Sequence, residues 1–203
     1  MKLYSYVVAR DYGFAPNPFF GACTLATCKP NIRRVAKVGD WVLGTGCADR
    51  GLTGRAVYAM RITETMTYDE YWSDPRFQCK KPNLSGSKKQ AFGDNIYHKD
   101  AATGLWHQQN SHHSLENGQP NPANIENDTQ TNRVLIGTKF MYWGGAGPQV
   151  PAGLRSYQGF DVCAGRNHKS QFPHGLEEQV VEWLRSFGES GYLGLPHDWS
   201  RSA

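Results

Sequence analysis

The sequence predicts an α+β protein: a mostly antiparallel β-barrel with a long irregular insert over 78–132 and a C-terminal amphipathic helix, in one domain over residues 1–203. Three observations predict it. Separate short runs rich in Tyr, Val and Ile alternate from one face to the other, which is the period of a strand. Between residues 78 and 132 the composition turns to Asn, Gln, Lys, His, Ser and Gly, with isolated apolar anchors. Near the end, Leu176, Val180, Trp183, Leu184 and Phe187 recur at helical spacing, and Gly188 is placed to end that helix. Aromatic residues make up 12% of the chain, too many large rings for a disordered polymer.

Taken in order, residues 2–10 alternate as a first strand. Pro16 and Pro18 then hold 11–18 as a loop, because proline restricts both itself and the residue before it. Residues 19–28 read as extended. Gly39-Asp40 turns into a short buried strand, Trp41-Val42-Leu43-Gly44-Thr45-Gly46, and 55–63 alternates as its partner. The connection over 47–54 is short enough to make the two antiparallel. Thr67-Tyr68-Asp69-Glu70 fits a capping box for a short helix that Pro75 helps to stop. Residues 133–143 read as one more strand, broken at Gly144-Gly145-Ala146-Gly147-Pro148.

Charge and motifs narrow the function. The net charge of +4 permits contact with phosphates without demanding it. Five scattered cysteines argue for reduced thiols and a cytoplasmic setting rather than a disulfide framework. No apolar run approaches the roughly 18 residues of a membrane span, and the first residues are too short an apolar stretch for a secretory signal, so no membrane is expected. No cofactor is predicted: neither a Gly-Lys-Ser/Thr phosphate loop nor a Gly-x-Gly-x-x-Gly turn is present. Cys23 and Cys28 lie within a usable metal-ligand span and His98, His107, His112 and His113 share one segment, yet no zinc-type spacing joins them, and solvent-facing histidines are the expectation.

The order of strand, irregular loop, Gly39-Asp40-Trp41-Val42 and alternating strand resembles the opening of a PUA-like β-barrel of the EVE and YTH kind. A closer likeness spans nearly the whole chain. It runs through Ser5-Tyr6-Val7-Val8-Ala9-Arg10-Asp11-Tyr12-Gly13-Phe14-Ala15-Pro16-Asn17-Pro18-Phe19, Phe77-Gln78-Cys79-Lys80-Lys81-Pro82-Asn83, Phe92-Gly93-Asp94-Asn95-Ile96-Tyr97-His98, Tyr142-Trp143-Gly144-Gly145 and Gly165-Arg166-Asn167-His168-Lys169. These motifs resemble the second family of nucleotide modification associated domains. That resemblance implies a link to modified nucleobases in phage or bacterial conflict systems.

Binding a nucleobase needs a flat aromatic slot, polar groups at the base edge and cations for phosphate. Tyr6, Tyr97 and Trp143 are candidate rings, Asn17, Asp94 and Asn95 candidate edge readers, and Arg10, Lys80, Lys81, Arg166 and Lys169 candidate cations. Trp143 meets a glycine cluster, where a ligand can approach the backbone; core packing is the other reading of the same ring. The lysine pair Lys80-Lys81 either steers phosphate or lies in a solvated loop. In an extended segment Asp94 and His98 share a face, so they form either an acid and base pair or a turn cap beside a surface histidine. Cys163 near His168 is a further nucleophile pattern that a small buried cysteine would also produce. Three functions follow: recognition of a modified or flipped base in nucleic acid, an enzyme acting on a modified nucleotide through Asp94 and His98, or a protein-interaction domain.

Overall fold

The structure, a computed structural model, describes residues 1–199. In chain order the regular elements are strands β1 (Leu3–Val8) and β2 (Cys23–Leu25), helix α1 (Pro30–Val35), and strands β3 (Trp41–Gly46), β4 (Ala56–Arg61) and β5 (Glu64–Met66). Helices α2 (Tyr68–Ser73) and α3 (Lys88–Ala91) come next, then the hairpin β6 (Tyr97–Lys99) and β7 (Trp106–Gln108), and helix α4 (Pro122–Thr129). The chain continues through β8 (Val134–Gly137), β9 (Lys139–Tyr142), α5 (Ala152–Arg155), β10 (His168–Lys169), α6 (Leu176–Arg185) and β11 (Gly191–Tyr192). It is a mixed α+β chain. Among the described residues the sheets are open and close no barrel. No described helix is long and apolar enough to cross a membrane.

The chain forms two compact units that interleave in sequence. The first takes Met1–Tyr12, Ala36–Thr63 and the residues from Gly137 onward. Its sheet runs in the order β10-β1-β3-β4-β9-β11. The expected antiparallel pairing of β3 with β4 is present, whereas β1 with β3 and β9 with β11 run parallel. Strand alternation gives the sheet two apolar faces. One presents Leu3, Trp41, Leu43, Ala59 and Met141 to Leu176, Val180, Val181 and Leu184 of α6, each leucine, valine or methionine among them contributing about 1.5–3 kcal/mol when fully buried. The other carries a row of tyrosines, with Tyr6, Gly44, Tyr58, Tyr142 and Tyr192 in register across five strands. Gly44 is what lets the row close: a Cβ there would lie 2.3 Å from the Tyr58 ring, and in its absence the Tyr58 hydroxyl bonds to that of Tyr6 at 3.0 Å.

The second unit takes Gly13–Val35 and Glu64–Ile136. Its three-stranded sheet has the order β2-β8-β5, with β5 and β8 antiparallel. The capping box at Thr67 forms as the sequence predicts, with Thr67 and Glu70 satisfying each other's backbone donors at the start of α2. The run over 133–143 departs from expectation, because it is two strands. Val134–Gly137 belongs to this sheet and Lys139–Tyr142 to the six-stranded one, the chain changing sheets at Thr138. The stretch over 78–132 is also less irregular than its composition predicts, since it holds α3, the β6 and β7 hairpin and α4. Side-chain caps account for much of that order: Ser87 with Gln90 at α3, and Asn121 at α4.

Candidate active site

Within the second unit, β2 leads through Ala26 and Thr27 to Cys28, and α1 begins two residues later. Cys28 and Lys29 have φ of 58° and 44°, the left-handed region that side chains other than glycine and asparagine rarely enter. Such a backbone costs about 1–3 kcal/mol per residue and persists only where surrounding structure imposes it. Arg33, fully buried in α1, imposes it. Its Nε donates to the Cys28 carbonyl at 2.8 Å, Nη1 to those of Thr131 and Arg133 at 2.8 and 2.7 Å, and Nη2 to that of Asp128 at 2.6 Å. One guanidinium fork therefore ties the cysteine turn to the C-terminal end of α4. The thiol is left half-buried at a strand-to-helix corner.

His113 faces that thiol, with Nε2 at 3.8 Å from Cys28 Sγ. On its other side Nδ1 lies 2.8 Å from Asp128 Oδ2. Asp128 is fully buried on α4 and its two oxygens are saturated with donors. Oδ1 accepts from the Cys28 backbone N–H at 2.7 Å and from Asn127 Nδ2 at 3.2 Å, while Oδ2 accepts from the Tyr97 hydroxyl at 3.0 Å as well as from His113. An ionised carboxylate can only accept, so the histidine proton sits on Nδ1 and Nε2 turns its lone pair to the sulfur in the neutral ring. Gln108 completes the support, its Nε2 donating to the Tyr97 oxygen at 3.0 Å and its Oε1 accepting from the Asn121 N–H at 2.8 Å. Burial would lower the His113 pKa, but its hydrogen bonds to Asp128 and Cys28 outweigh that and raise it to about 9. Burial pushes the Tyr97 phenol upward, which keeps it a donor to Asp128.

Several residues singled out in the sequence have structural partners. Asn17 and Lys80 come together: the buried Lys80 ammonium donates to Asn17 Oδ1 at 2.6 Å, to the Asn17 carbonyl at 3.1 Å and to that of Ala22 at 2.9 Å. Lys80 is thus an internal strut and offers no surface charge to a phosphate. Asp94 accepts from Thr24 at 2.6 Å and from Tyr71 at 2.8 Å in a fully buried setting, and that burial pushes its carboxyl up. His98 lies elsewhere, its ring 4.3 Å from Trp72 and 4.8 Å from His107, so the acid and base pairing of Asp94 with His98 is not formed. Asn95 spends its Nδ2 on the Tyr71 and Phe77 carbonyls.

Tyr6 and Trp143 belong to the first unit and lie on opposite faces of its sheet, Tyr6 in the tyrosine row and Trp143 in the core under α6. They do not line one hollow. Arg10 and Arg166 are exposed and Lys81 is half-buried over the Trp72 ring at 3.7 Å, while the Lys169 ammonium donates to the carbonyls of Asp161 and Cys163 at 2.7 and 3.0 Å. Cys163 is buried and its thiol pushed up to about 12, chiefly by burial, which leaves it inert. Of the candidates, Tyr97 alone joins the Cys28 cluster. His113 itself was expected in solvent with the other histidines, yet its side chain is only 15% exposed, because Asp128 and the Phe14 ring hold it. Cys28, His113 and Asp128 are 85 and 15 residues apart in sequence, with no local motif to join them. The one local sign is a cysteine directly ahead of Lys29-Pro30, a proline at the first position of a helix.

The two ring nitrogens of His113 thus join the Cys28 thiol to the Asp128 carboxylate, the order of groups that can activate a cysteine. No group of three or more His, Cys, Asp or Glu among the described residues is placed to hold a metal ion. The whole chain, residues 1–203, matches the model of nucleotide modification associated domain 2, and the protein belongs to that family. Neither a curated protein nor a solved structure gives a match.

Proposed function

We propose that this chain is a thiol enzyme of a nucleotide modification system, one that removes or transfers an acyl group carried by a nucleotide or modified base through Cys28. The observation that carries this reading is the His113 ring, 3.8 Å from the Cys28 sulfur on one side and 2.8 Å from the buried Asp128 on the other. Family membership supports the substrate class. In its neutral form His113 takes the thiol proton on Nε2 as sulfur attacks the acyl carbon; because hydrogen bonds raise its pKa to about 9, that form gains population as pH rises towards 9. The tetrahedral intermediate then expels the amine, which receives that proton from His113, and the acyl group remains on Cys28 as a thioester. Water, or a second amine, gives its proton to His113 as it attacks the thioester, and the sulfur leaves and is reprotonated. Asp128 orients the ring and balances its charge; Tyr97, Gln108 and Arg33 are positioning residues.

A second reading is recognition without chemistry: a PUA-like first unit that reads a modified or flipped base in DNA, with Arg10 and Arg166 on phosphates. It is favoured by the turn at Gly39, where φ is 95° and Asp40 accepts the N–H groups of Lys2 and Lys37 at 2.8 and 2.9 Å, fixing the entry to β3 that the resemblance requires. One experiment separates the two. The protein is incubated with N-acetylcytidine and N-acetyladenosine and its intact mass recorded; an acetyl group on Cys28, absent from Cys28→Ser and His113→Gln, supports the enzyme. Unmodified protein and undiminished acylated nucleoside after prolonged incubation reject acyl chemistry on these substrates and leave the binding reading.

A further inference from the structure

The loop that carries His113 also walls a recess of about 510 Å³, whose lining includes Leu84, Asn110, His112, Ser114, Glu116 and Asn117. That size is within the range of small-molecule sites, about 300–1,000 Å³. His112 is exposed, yet its ring is braced by Phe14 and Phe92 at centroid distances of 5.3 and 5.2 Å. It lies near-parallel to His113, 6.2 Å away with planes 29° apart. A planar ring held by two phenyl groups and still open to water is a stacking plate. Around it lie amides, a carboxylate and hydroxyls. Asn110 brings a carboxamide, Glu116 a carboxylate, and Asn117, whose Oδ1 already accepts from the Gln119 N–H at 3.1 Å, has its NH₂ left to offer. Gly118, at φ 79°, keeps room for Asn110: a Cβ there would lie 2.7 Å from Asn110 Nδ2. The loop is pinned by Ser111 and Ser114, each accepting a backbone N–H of the other's neighbourhood at 3.0 to 3.3 Å.

We infer that this recess binds an amino-bearing nucleobase, adenine, cytosine or guanine, stacked on His112 with its exocyclic amine donating to Glu116 and its ring edge met by Asn110. The inference deepens the catalytic reading of Cys28 by naming the base of its substrate, and rests on that reading only for what happens next. A carboxylate rewards an amine and repels the carbonyl that thymine and uracil present at the same position, so the discrimination has both an attractive and a repulsive part. An N-acylated amine keeps one N–H for Glu116. It is also the position at which a base carries an acyl group, and the His112 ring on which the base stacks lies 6.2 Å from that of His113.

The test is calorimetry of the full chain at low salt with CMP, AMP, GMP, UMP and TMP, and with short oligonucleotides of each base to distinguish a free nucleotide from a strand as the source. The expected result is binding of the three amino-bearing bases at least about fivefold tighter than UMP or TMP, a loss of at least about fivefold in His112→Ala, as deletion of a stacking partner predicts, and collapse of the preference in Glu116→Gln. Equal affinity for all five bases, or affinities untouched in both variants, overturns the inference. Carbamidomethylation of Cys28 in the same wild-type preparation reports on the catalytic reading separately. A fast-reacting Cys28 with no base preference sinks the recess and keeps the nucleophile; a base preference with Cys28 no faster than free cysteine does the reverse.

Discussion

His113 is the residue on which the site turns, because both of its ring nitrogens have partners and the two partners favour the charged ring. Its folded pKa of about 9 stands above the ordinary value of 6.5, so the folded protein holds a proton there that the unfolded chain releases over that interval. The stability contributed by the protonated ring is complete below about pH 6.5 and is lost as pH rises through about 9. Urea unfolding followed across this window is expected to show a falling free energy of unfolding in the wild type and a flatter course in His113→Gln. Burial pulls against that shift, and the groups facing the ring, Asp128 and Cys28, outweigh it; Tyr97 donates to Asp128 from behind. If His113→Gln falls as steeply as the wild type over the same interval, the proton is held elsewhere and the imidazole is not the base described.

Among the elements, α1 matters less for its six residues than for Arg33, whose guanidinium meets four carbonyl oxygens. A lysine there keeps the charge and loses the fork, since one ammonium cannot reach carbonyls on both the cysteine turn and the end of α4. Arg33→Lys is expected to cost about 2–4 kcal/mol in urea unfolding, from carbonyls left buried and unpaired, and to slow Cys28 alkylation together with it. A variant of wild-type stability and wild-type thiol reactivity would show that the Cys28 turn holds itself. The same element explains what could be read beforehand. The alternation of 2–10 and 55–63 and the Thr67 capping box are local signals, and the strands and the cap are where they predict. The change of sheet at Thr138 is set by pairing with β5 and β4, partners distant in sequence, and leaves no local mark. The thiol site is of that second kind. Lys80 and Asp94 read as surface chemistry because charged residues in a polar stretch usually are, whereas Asn17, Thr24 and Tyr71 give them buried partners that the local sequence does not reveal.

At the scale of the whole molecule, a net charge of +4 spread over the chain makes weak long-range attraction to a polyanion. Two of the cations expected to meet phosphate are spoken for: Lys80 is inside, and Lys169 is tied to the carbonyls of Asp161 and Cys163. Recognition that works through a stacked base and its amine releases few counterions, and each phosphate neutralised on a single strand adds about 0.7 to the salt slope. Anisotropy of a labelled oligocytidine titrated with the protein across a series of salt concentrations is therefore expected to give a log–log slope no steeper than about −2, with base identity changing affinity more than salt does. A steeper slope with no dependence on base would place the affinity in phosphate contacts by Arg10, Lys81 and Arg166, and the protein would then hold nucleic acid by its backbone rather than by the group on which a cysteine could act.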